Sequence, residues 1–284
     1  MHDDLLAAAV AAAHAGAEVV TRYFRGADLD VRRKGENDFV TRADQESEAA
    51  VVAAIRGAFP DHRILAEEGS GADHGSGDVE WLIDPLDGTT NFLQGLPVYC
   101  VSVACRRGDE LLAGAIEDPE GHNLFTAARG QGAFWNGRRM EVSRREGLKG
   151  AFLATGCPFR ALPTLDVYLA IFRDAFRQAK AIRRCGAAAL DLAYTAAGVY
   201  DGFFEFRLSP WDIGAGTLMV REAGGVLTDL DGGGESFESG NVVAGGPAVH
   251  AELLEVVQRH ASEEALERIH PFRSPASAAS AVTP

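Results

Sequence analysis

An apolar run that ends in two carboxylates constrains this chain more than any other stretch, since residues 81–92 read WLIDPLDGTTNF. Such a run is typical of a buried strand, and we expect it to stop at Asp84 because Pro85 fixes φ and has no N–H to donate. Gly88 allows a tight turn, which brings Asp84 and Asp87 close together. Like charges at that distance are costly unless a proton or a cation lies between them. A divalent-metal site is therefore one hypothesis, and an ordinary Asx-type turn is the other.

Length, charge and cysteine spacing narrow the class of protein. The 284 residues suffice for one large domain or two packed halves, and the net charge of -14 argues against the basic patches that bind nucleic acid or anionic membranes. The four cysteines form no C-x-x-C pair and no zinc spacing, which favours a reducing compartment. We find no signal-peptide pattern, and we expect no apolar run to reach the ~20 residues of a spanning helix. The expectation is a cytoplasmic protein without nucleic-acid or membrane partners.

Hydrophobic periodicity predicts a helix-rich start followed by a strand-rich middle, an order compatible with mixed or largely antiparallel sheets. The Ser/Ala/Pro tail over 271–284 has no periodicity, and we expect it to be disordered. Helices are expected near 3–24, 43–59, 164–179, 186–198, 211–225 and 250–261. Strands are expected near 29–34, 63–66, 81–84, 101–106, 111–117, 124–127, 203–206, 226–228 and 242–244.

Acidic residues stand at the ends of three predicted elements. Glu67 and Glu68 follow one strand, Asp84 and Asp87 follow another, and Asp212 opens a helix. Mg²⁺ prefers oxygen ligands, usually a few carboxylates together with substrate phosphate and water. A two-metal site of this kind suits phosphate-ester hydrolysis. Neither an EF-hand loop nor a P-loop motif occurs in the sequence.

Two long motifs in this chain resemble the signatures of the inositol monophosphatase family of Mg²⁺-dependent phosphatases. Residues 84–92, DPLDGTTNF, resemble the first signature, and residues 211–225, WDIGAGTLMVREAGG, resemble the second. The similarity covers roughly residues 5 to 260, in order. The resemblance implies an α/β (α+β layered) fold, an αβαβα sandwich of the inositol monophosphatase and fructose-1,6-bisphosphatase type.

The resemblance also implies the domain organisation and the metal ligands. A single phosphatase domain over 1–270 would consist of two closely packed halves, about 1–145 and 146–270. It would bind two to three Mg²⁺ ions. Glu67, Asp84 and the Leu86 carbonyl would bind the first ion, Asp84, Asp87 and Asp212 would bind the second, and Glu67 would help to hold a weaker third.

Further residues acquire catalytic roles from the same resemblance. Thr89, hydrogen-bonded to Asp44, would act with Glu67 to activate a water that attacks in line, without a covalent intermediate. Lys34 would approach the metal and phosphate region from a flexible loop. The family also suggests lithium inhibition and a homodimer. The implied phosphate contacts are Asp87, Asp212 and the N–H groups of Gly88 and Thr89, which agrees with anion binding at helix N-termini.

The alcohol half of the substrate would contact Gly186, Ala187, Ala188 and Glu205. Many family members carry a hydroxyl where this chain has Ala187, so the identity of the polyol stays open. The Thr90–Phe92 ending and Glu205 favour the inositol branch, and therefore hydrolysis of myo-inositol 1-phosphate to myo-inositol and phosphate. Histidinol phosphate, 3′-phosphoadenosine 5′-phosphate and fructose 1,6-bisphosphate remain alternative substrates, and a non-catalytic regulatory role is a further alternative.

Several of these residues also have simpler interpretations. Asp44 suits a helix N-cap, Lys34 a surface lysine, and Glu205 an outward strand position. We expect Glu68 to face away from the site as a structural or solvent-bound residue. Asp191 is expected to be a structural partner rather than a ligand.

Overall fold

The computed structural model describes residues 2–26, 29–35, 38–69, 75–159, 162–234 and 236–261. The tail over 271–284 and parts of the two polar loops, 36–37 and 70–74, lie outside the described residues. The helices are α1 (His2–Tyr23), α2 (Arg42–Ala58), α3 (Thr89–Leu93), α4 (Leu165–Gln178), α5 (Ala188–Ala196), α6 (Pro210–Glu222), α7 (Ser236–Ser239) and α8 (Pro247–His260). The strands are β1 (Arg32–Gly35), β2 (Asp38–Val40), β3 (Arg63–Ala66), β4 (Val79–Asp87), β5 (Cys100–Arg107), β6 (Glu110–Asp118), β7 (Asn123–Ala128), β8 (Gly132–Trp135), β9 (Arg138–Arg139), β10 (Phe152–Thr155), β11 (Ala181–Arg183), β12 (Gly202–Glu205), β13 (Val226–Thr228) and β14 (Val242–Gly245).

Helices and sheets alternate in five layers, which confirms the predicted αβαβα sandwich. A seven-stranded sheet has the order β3-β4-β5-β6-β7-β8-β9, and a five-stranded sheet has the order β11-β10-β12-β14-β13. Helices α1 and α2 pack on the outer face of the first sheet, α5 and α6 lie between the sheets, and α4 and α8 pack together beyond the second. Both sheets mix parallel and antiparallel pairs, as predicted. The boundary expected near residue 145 stays a prediction.

Helix α1 differs from its sequence-based description. By length and composition alone it could cross a membrane, contrary to the expectation that no segment would. In the structure its small and apolar side chains pack against α2 and the seven-stranded sheet. Gly16 shows how close this packing is, since an added Cβ would lie 2.8 Å from both the Ser47 hydroxyl and a Val51 methyl. Burial of this face is what a core helix of a globular protein requires.

The sequence patterns missed five strands, β2 and β8 to β11. They contain two to four residues each, and so short a segment shows no usable periodicity. The omission matters for β10, which lies inside the five-stranded sheet and pairs in parallel with both β11 and β12. The segment that follows β10 reaches the cavity described below.

Close contact between α5 and α6 depends on Gly216, which leads to a stability prediction. An added Cβ would lie 2.4 Å from the Cβ of Leu192, so Gly216→Ala should destabilise the protein by about 1–3 kcal/mol through overpacking. Gly57 in α2 is the matched control because nothing lies within 4 Å of its added Cβ. Gly57→Ala should raise stability by up to about 1 kcal/mol, since alanine favours the helix. Urea unfolding measures both, and equal effects of the two substitutions would contradict the packing.

Candidate active site

A cavity of about 370 Å³ is lined by residues from both sheets and from the helices between them. Most of the residues predicted for the site line it. These are Glu67, Asp84, Leu86, Asp87, Gly88, Thr89, Gly186, Ala188, Glu205 and Asp212.

A β-bulge places the two carboxylates of the first motif on one wall. In a regular strand, residues three apart point to opposite faces of the sheet. Asp84 pairs with Ser102 and Asp87 with Cys100, so three steps along β4 oppose two along β5. The extra residue reverses the alternation, and both carboxylates line the cavity. The strand therefore continues to Asp87, and the prediction that it stops at Asp84 was wrong. The reason is that the bulge accommodates Pro85, while the buried hydroxyl of Ser47 donates to the Pro85 carbonyl at 2.8 Å.

Asp87 also connects the two sheets. Its Oδ2 accepts the backbone N–H of Ala189 at 2.8 Å, and the Ala188 N–H also bonds to the carboxylate. Helix α5 has no side-chain cap of its own, since its N-cap residue is Ala187. A carboxylate from the first motif thus caps a helix that lies about 100 positions later, where the helix dipole favours negative charge.

The other two motif carboxylates also accept backbone hydrogen bonds. Asp84 is buried, and its Oδ1 accepts the Leu86 N–H at 3.0 Å. Asp212 lies in the first turn of α6 and accepts the Ser209 N–H at 2.7 Å in a capping box. These bonds fix the side chains at the cavity wall. Among the described residues, no three Asp, Glu, His or Cys side chains already form a compact metal cluster.

Burial and mutual repulsion raise the pKa values of Asp84 and Asp87 in this wall. Burial is the largest cause for Asp84, whose pKa is raised well above its usual range, and the charges of Glu67, Asp87 and Asp212 raise it further. Desolvation, followed by the charge of Asp212, raises the pKa of Asp87 to about 7. Four acidic side chains that affect one another in this way favour the binding of a cation or a proton.

Helix α2 positions Thr89, whose hydroxyl lies 3.2 Å from Asp44 Oδ1 and 3.1 Å from the Leu86 carbonyl. Asp44 is not itself the N-cap of α2, which is Thr41, but from the third helical position it completes a capping box with Thr41. Burial raises the pKa of Asp44 to about 6, against the opposing hydrogen bonds from Thr41. Gly88 precedes the start of α3 with φ +91°, and an added Cβ would lie 2.9 Å from the Val98 carbonyl.

Lys34 and Glu68 lie beside Glu67 at the end of β3. The Lys34 ammonium contacts Glu67 Oε1 at 3.3 Å and forms a second ion pair with Glu68. Glu68 does not line the cavity, which agrees with the expectation that it faces away from the site as a structural residue, and its side chain is only 9% exposed. Lys34 comes from the separate β1–β2 hairpin and supplies a counter-charge next to Glu67.

The expected alcohol end of the cavity contains Glu205 but not Ala187. Glu205 ends β12 and packs directly over Gly156, where an added Cβ would overlap its carboxylate. Ala187 is 1% exposed and absent from the cavity lining, so its expected contact with the substrate is not supported by its position. The reason is that Ala187 is the N-cap of α5, and its side chain packs in the core between the sheets.

Sequence reasoning missed several other residues of the cavity wall. The short apolar run before Gly156 forms β10, and it is the sequence signal that could have identified the wall residues that follow this strand. Other missed residues are close in sequence to predicted site residues, as Arg184 is to Gly186. The Arg184 guanidinium lies 5.1 Å from the Phe159 ring centroid. The missed residues are Phe39, Thr90, Cys157, Pro158, Phe159, Arg184, Phe206, Arg207 and Leu208.

The raised pKa of Asp87 leads to a pH-dependent stability prediction in chelator. A carboxyl with a folded-state pKa raised to about 7 stabilises the protein below its unfolded value near 4, and this stabilisation is lost as pH rises through 7. Asp87→Asn keeps an acceptor for the Ala189 N–H but carries no charge. In EDTA it should exceed the wild type in free energy of unfolding by about 1–2 kcal/mol at pH 8 and by little at pH 5.

Urea unfolding at the two pH values measures this difference. Asp109→Asn, in the exposed β5–β6 turn, is the matched control and should give no such gap. A wild type as stable as Asp87→Asn at pH 8 would contradict the repulsion between these carboxylates.

Comparison with known proteins gives one consistent family. The model of the inositol monophosphatase family matches residues 1–262. Nus factor SuhB of Pseudomonas aeruginosa is 47% identical over 262 residues, which cover 90% of this chain and 96% of that protein.

Solved structures of similar proteins agree with this family match. The extragenic suppressor protein suhB from Bartonella henselae superposes with a TM-score of 0.86 at 40% identity, covering 89% of this chain and 98% of that one. Inositol monophosphatase from Anabaena (Nostoc) sp. PCC 7120 gives a TM-score of 0.80 at 34% identity, covering 92% and 97%. The chain therefore belongs to the inositol monophosphatase family.

Proposed function

We propose that this protein hydrolyses a small phosphate monoester in a Mg²⁺-dependent reaction, with myo-inositol 1-phosphate as the substrate and myo-inositol and phosphate as the products. The observation that carries the proposal is the bulge in β4, because it turns Asp84 and Asp87 into the same cavity as Glu67 and Asp212. Family membership supports the chemistry.

The donor set fits Mg²⁺. The four carboxylates and the Leu86 carbonyl supply only oxygen atoms, which are the ligands that this hard cation prefers. We propose that the carboxylates of Glu67, Asp84, Asp87 and Asp212 and the Leu86 carbonyl would hold two to three ions. Bound Mg²⁺ would neutralise phosphate charge and lower the pKa of the attacking water.

The chain's own groups would orient the reactants. The Thr89 hydroxyl, which hydrogen-bonds to Asp44 and the Leu86 carbonyl, would bind the attacking water. The backbone N–H groups of Gly88 and Thr89 would contact the phosphate at the start of α3. Lys34 adds a positive charge beside Glu67. Glu205, with Gly186 and Ala188, would contact the hydroxyls of the alcohol.

A second candidate role comes from the relatives. Relatives in Pseudomonas aeruginosa and Escherichia coli, 47% and 45% identical to this chain, carry the name Nus factor SuhB. We propose a Nus factor role as an addition to hydrolysis, since it requires no change to the cavity. A pull-down that captures the same partner with wild type and with Asp87→Asn would separate this role from catalysis.

The homodimer and lithium inhibition stay predictions, as does the cytoplasmic location. An exposed apolar face on α4 supports a protein–protein interface of this kind, since large apolar patches often mark such surfaces. Its exposed side chains are Leu165, Leu169 and Phe176.

A phosphate-release assay tests the proposed reaction. The wild type should lose activity in EDTA and regain it with Mg²⁺, and it should prefer myo-inositol 1-phosphate to histidinol phosphate, 3′-phosphoadenosine 5′-phosphate and fructose 1,6-bisphosphate. Asp87→Asn should lose at least about 100-fold in kcat while staying folded, because it removes a charge that binds the cation. The Asp109→Asn control should retain full activity. Full activity in chelator would rule out the metal mechanism, and a preference for another ester would change only the substrate.

A further inference from the structure

The β1–β2 hairpin that carries Lys34 belongs to neither large sheet. The two strands pair only with each other among the described residues, and their register shifts between Arg33 and Gly35. Side-chain contacts must therefore help to place Lys34 against the rest of the protein. Two are to Glu67 and Glu68, which join the hairpin to the end of β3.

A hydrogen bond to α2 holds the Glu68 main chain in place. Its N–H donates to Glu48 Oε2 at 2.7 Å, and Glu48 is fully buried. The preceding Glu67 N–H donates to the Ile83 carbonyl at 3.2 Å, which extends the pairing of β3 with β4 by one residue. The backbone that carries the Glu68 carboxylate is therefore held by hydrogen bonds to α2 and β4, whereas Lys34 belongs to a separate hairpin.

The two carboxylates that pair with Lys34 differ in whether they also line the cavity. Glu67 lines the cavity and is one of the proposed metal ligands, so its carboxylate cannot serve Lys34 alone. Glu68 does not line the cavity, and its side chain is more buried than that of Glu67, at 9% against 14% exposed. Glu68 is thus the partner that can retain Lys34 while Glu67 binds a cation.

From these contacts we propose that Glu68 is a positioning residue, which places the Lys34 ammonium at the edge of the cavity beside Glu67. Glu68 touches no reacting atom and acts through Lys34. The proposal rests on the proposed phosphatase function for its catalytic consequence, but the contact itself can be tested without activity.

Phosphate release in a double-mutant cycle tests the catalytic consequence. Glu68→Gln should lower kcat with Mg²⁺ about tenfold or more with little change in KM, because a misplaced charged group loses its effect on the reaction. In a Lys34→Ala background the same substitution should have no further effect, and Glu68→Asp should restore part of the loss. Glu80→Gln is the matched control, since Glu80 forms a partly buried ion pair with Arg106 on the same sheet.

A lysine-specific endoproteinase tests the contact directly. The sequence contains only three lysines, Lys34, Lys149 and Lys180. All three are exposed residues, but the ion pairs of Lys34 leave its side chain only 25% exposed. Cleavage after Lys34 should accelerate severalfold in Glu68→Gln and stay unchanged in Glu80→Gln, with Lys149 and Lys180 as internal references.

The outcomes separate the two proposals. A wild type that releases no phosphate from any ester would overturn the proposed function, and the cleavage assay would still report on the contact. Unchanged cleavage after Lys34 in Glu68→Gln would overturn the positioning role. So would an unchanged kcat, or an equal loss of kcat in the Lys34→Ala background.

Discussion

Placing four carboxylates in the wall of one cavity is the constraint on which the rest of this structure depends. Charges of one sign repel, and desolvation makes each of them more costly. The protein compensates with backbone donors: Asp84 accepts the Leu86 N–H, Asp87 accepts N–H groups at the start of α5, and Asp212 accepts the Ser209 N–H. The pKa values of Asp84 and Asp87 remain raised despite these bonds. Repulsion that remains in the folded state can be relieved by a cation, which is how a destabilising feature becomes a binding site.

The same carboxylates determine how the layers meet. Asp87 reaches α5, which lies between the sheets. Asp212 lies in the first turn of α6, which packs against α5 and the seven-stranded sheet. Helix α2 supports the site from the opposite side through Asp44, Ser47 and Glu48. Elements far apart in the sequence therefore fix one cavity, and the β1–β2 hairpin, which lies outside both large sheets, adds Phe39 to its wall and brings Lys34 to Glu67.

Much of the architecture could be predicted from the sequence, because the two motifs and the acid that precedes them indicate both the fold and the members of the cavity wall. The bulge could not, since it depends on the register between β4 and β5, and nothing local to DPLDG specifies which residue of β5 faces Asp87. The partner of Glu68 could not be predicted for a similar reason: its counter-ion, Lys34, comes from a hairpin more than 30 positions earlier. The wall residues after β10 were missed because a four-residue strand has no distinctive periodicity.

The central claim is that the buried carboxylates bind a divalent cation, and titration calorimetry with Mg²⁺ tests it without reference to any substrate. The wild type should bind Mg²⁺ with measurable heat at pH 7.5. Asp84→Asn, which removes the carboxylate proposed to contact two ions while keeping the acceptor for the Leu86 N–H, should bind far more weakly. Equal binding by the wild type and Asp84→Asn would contradict the account.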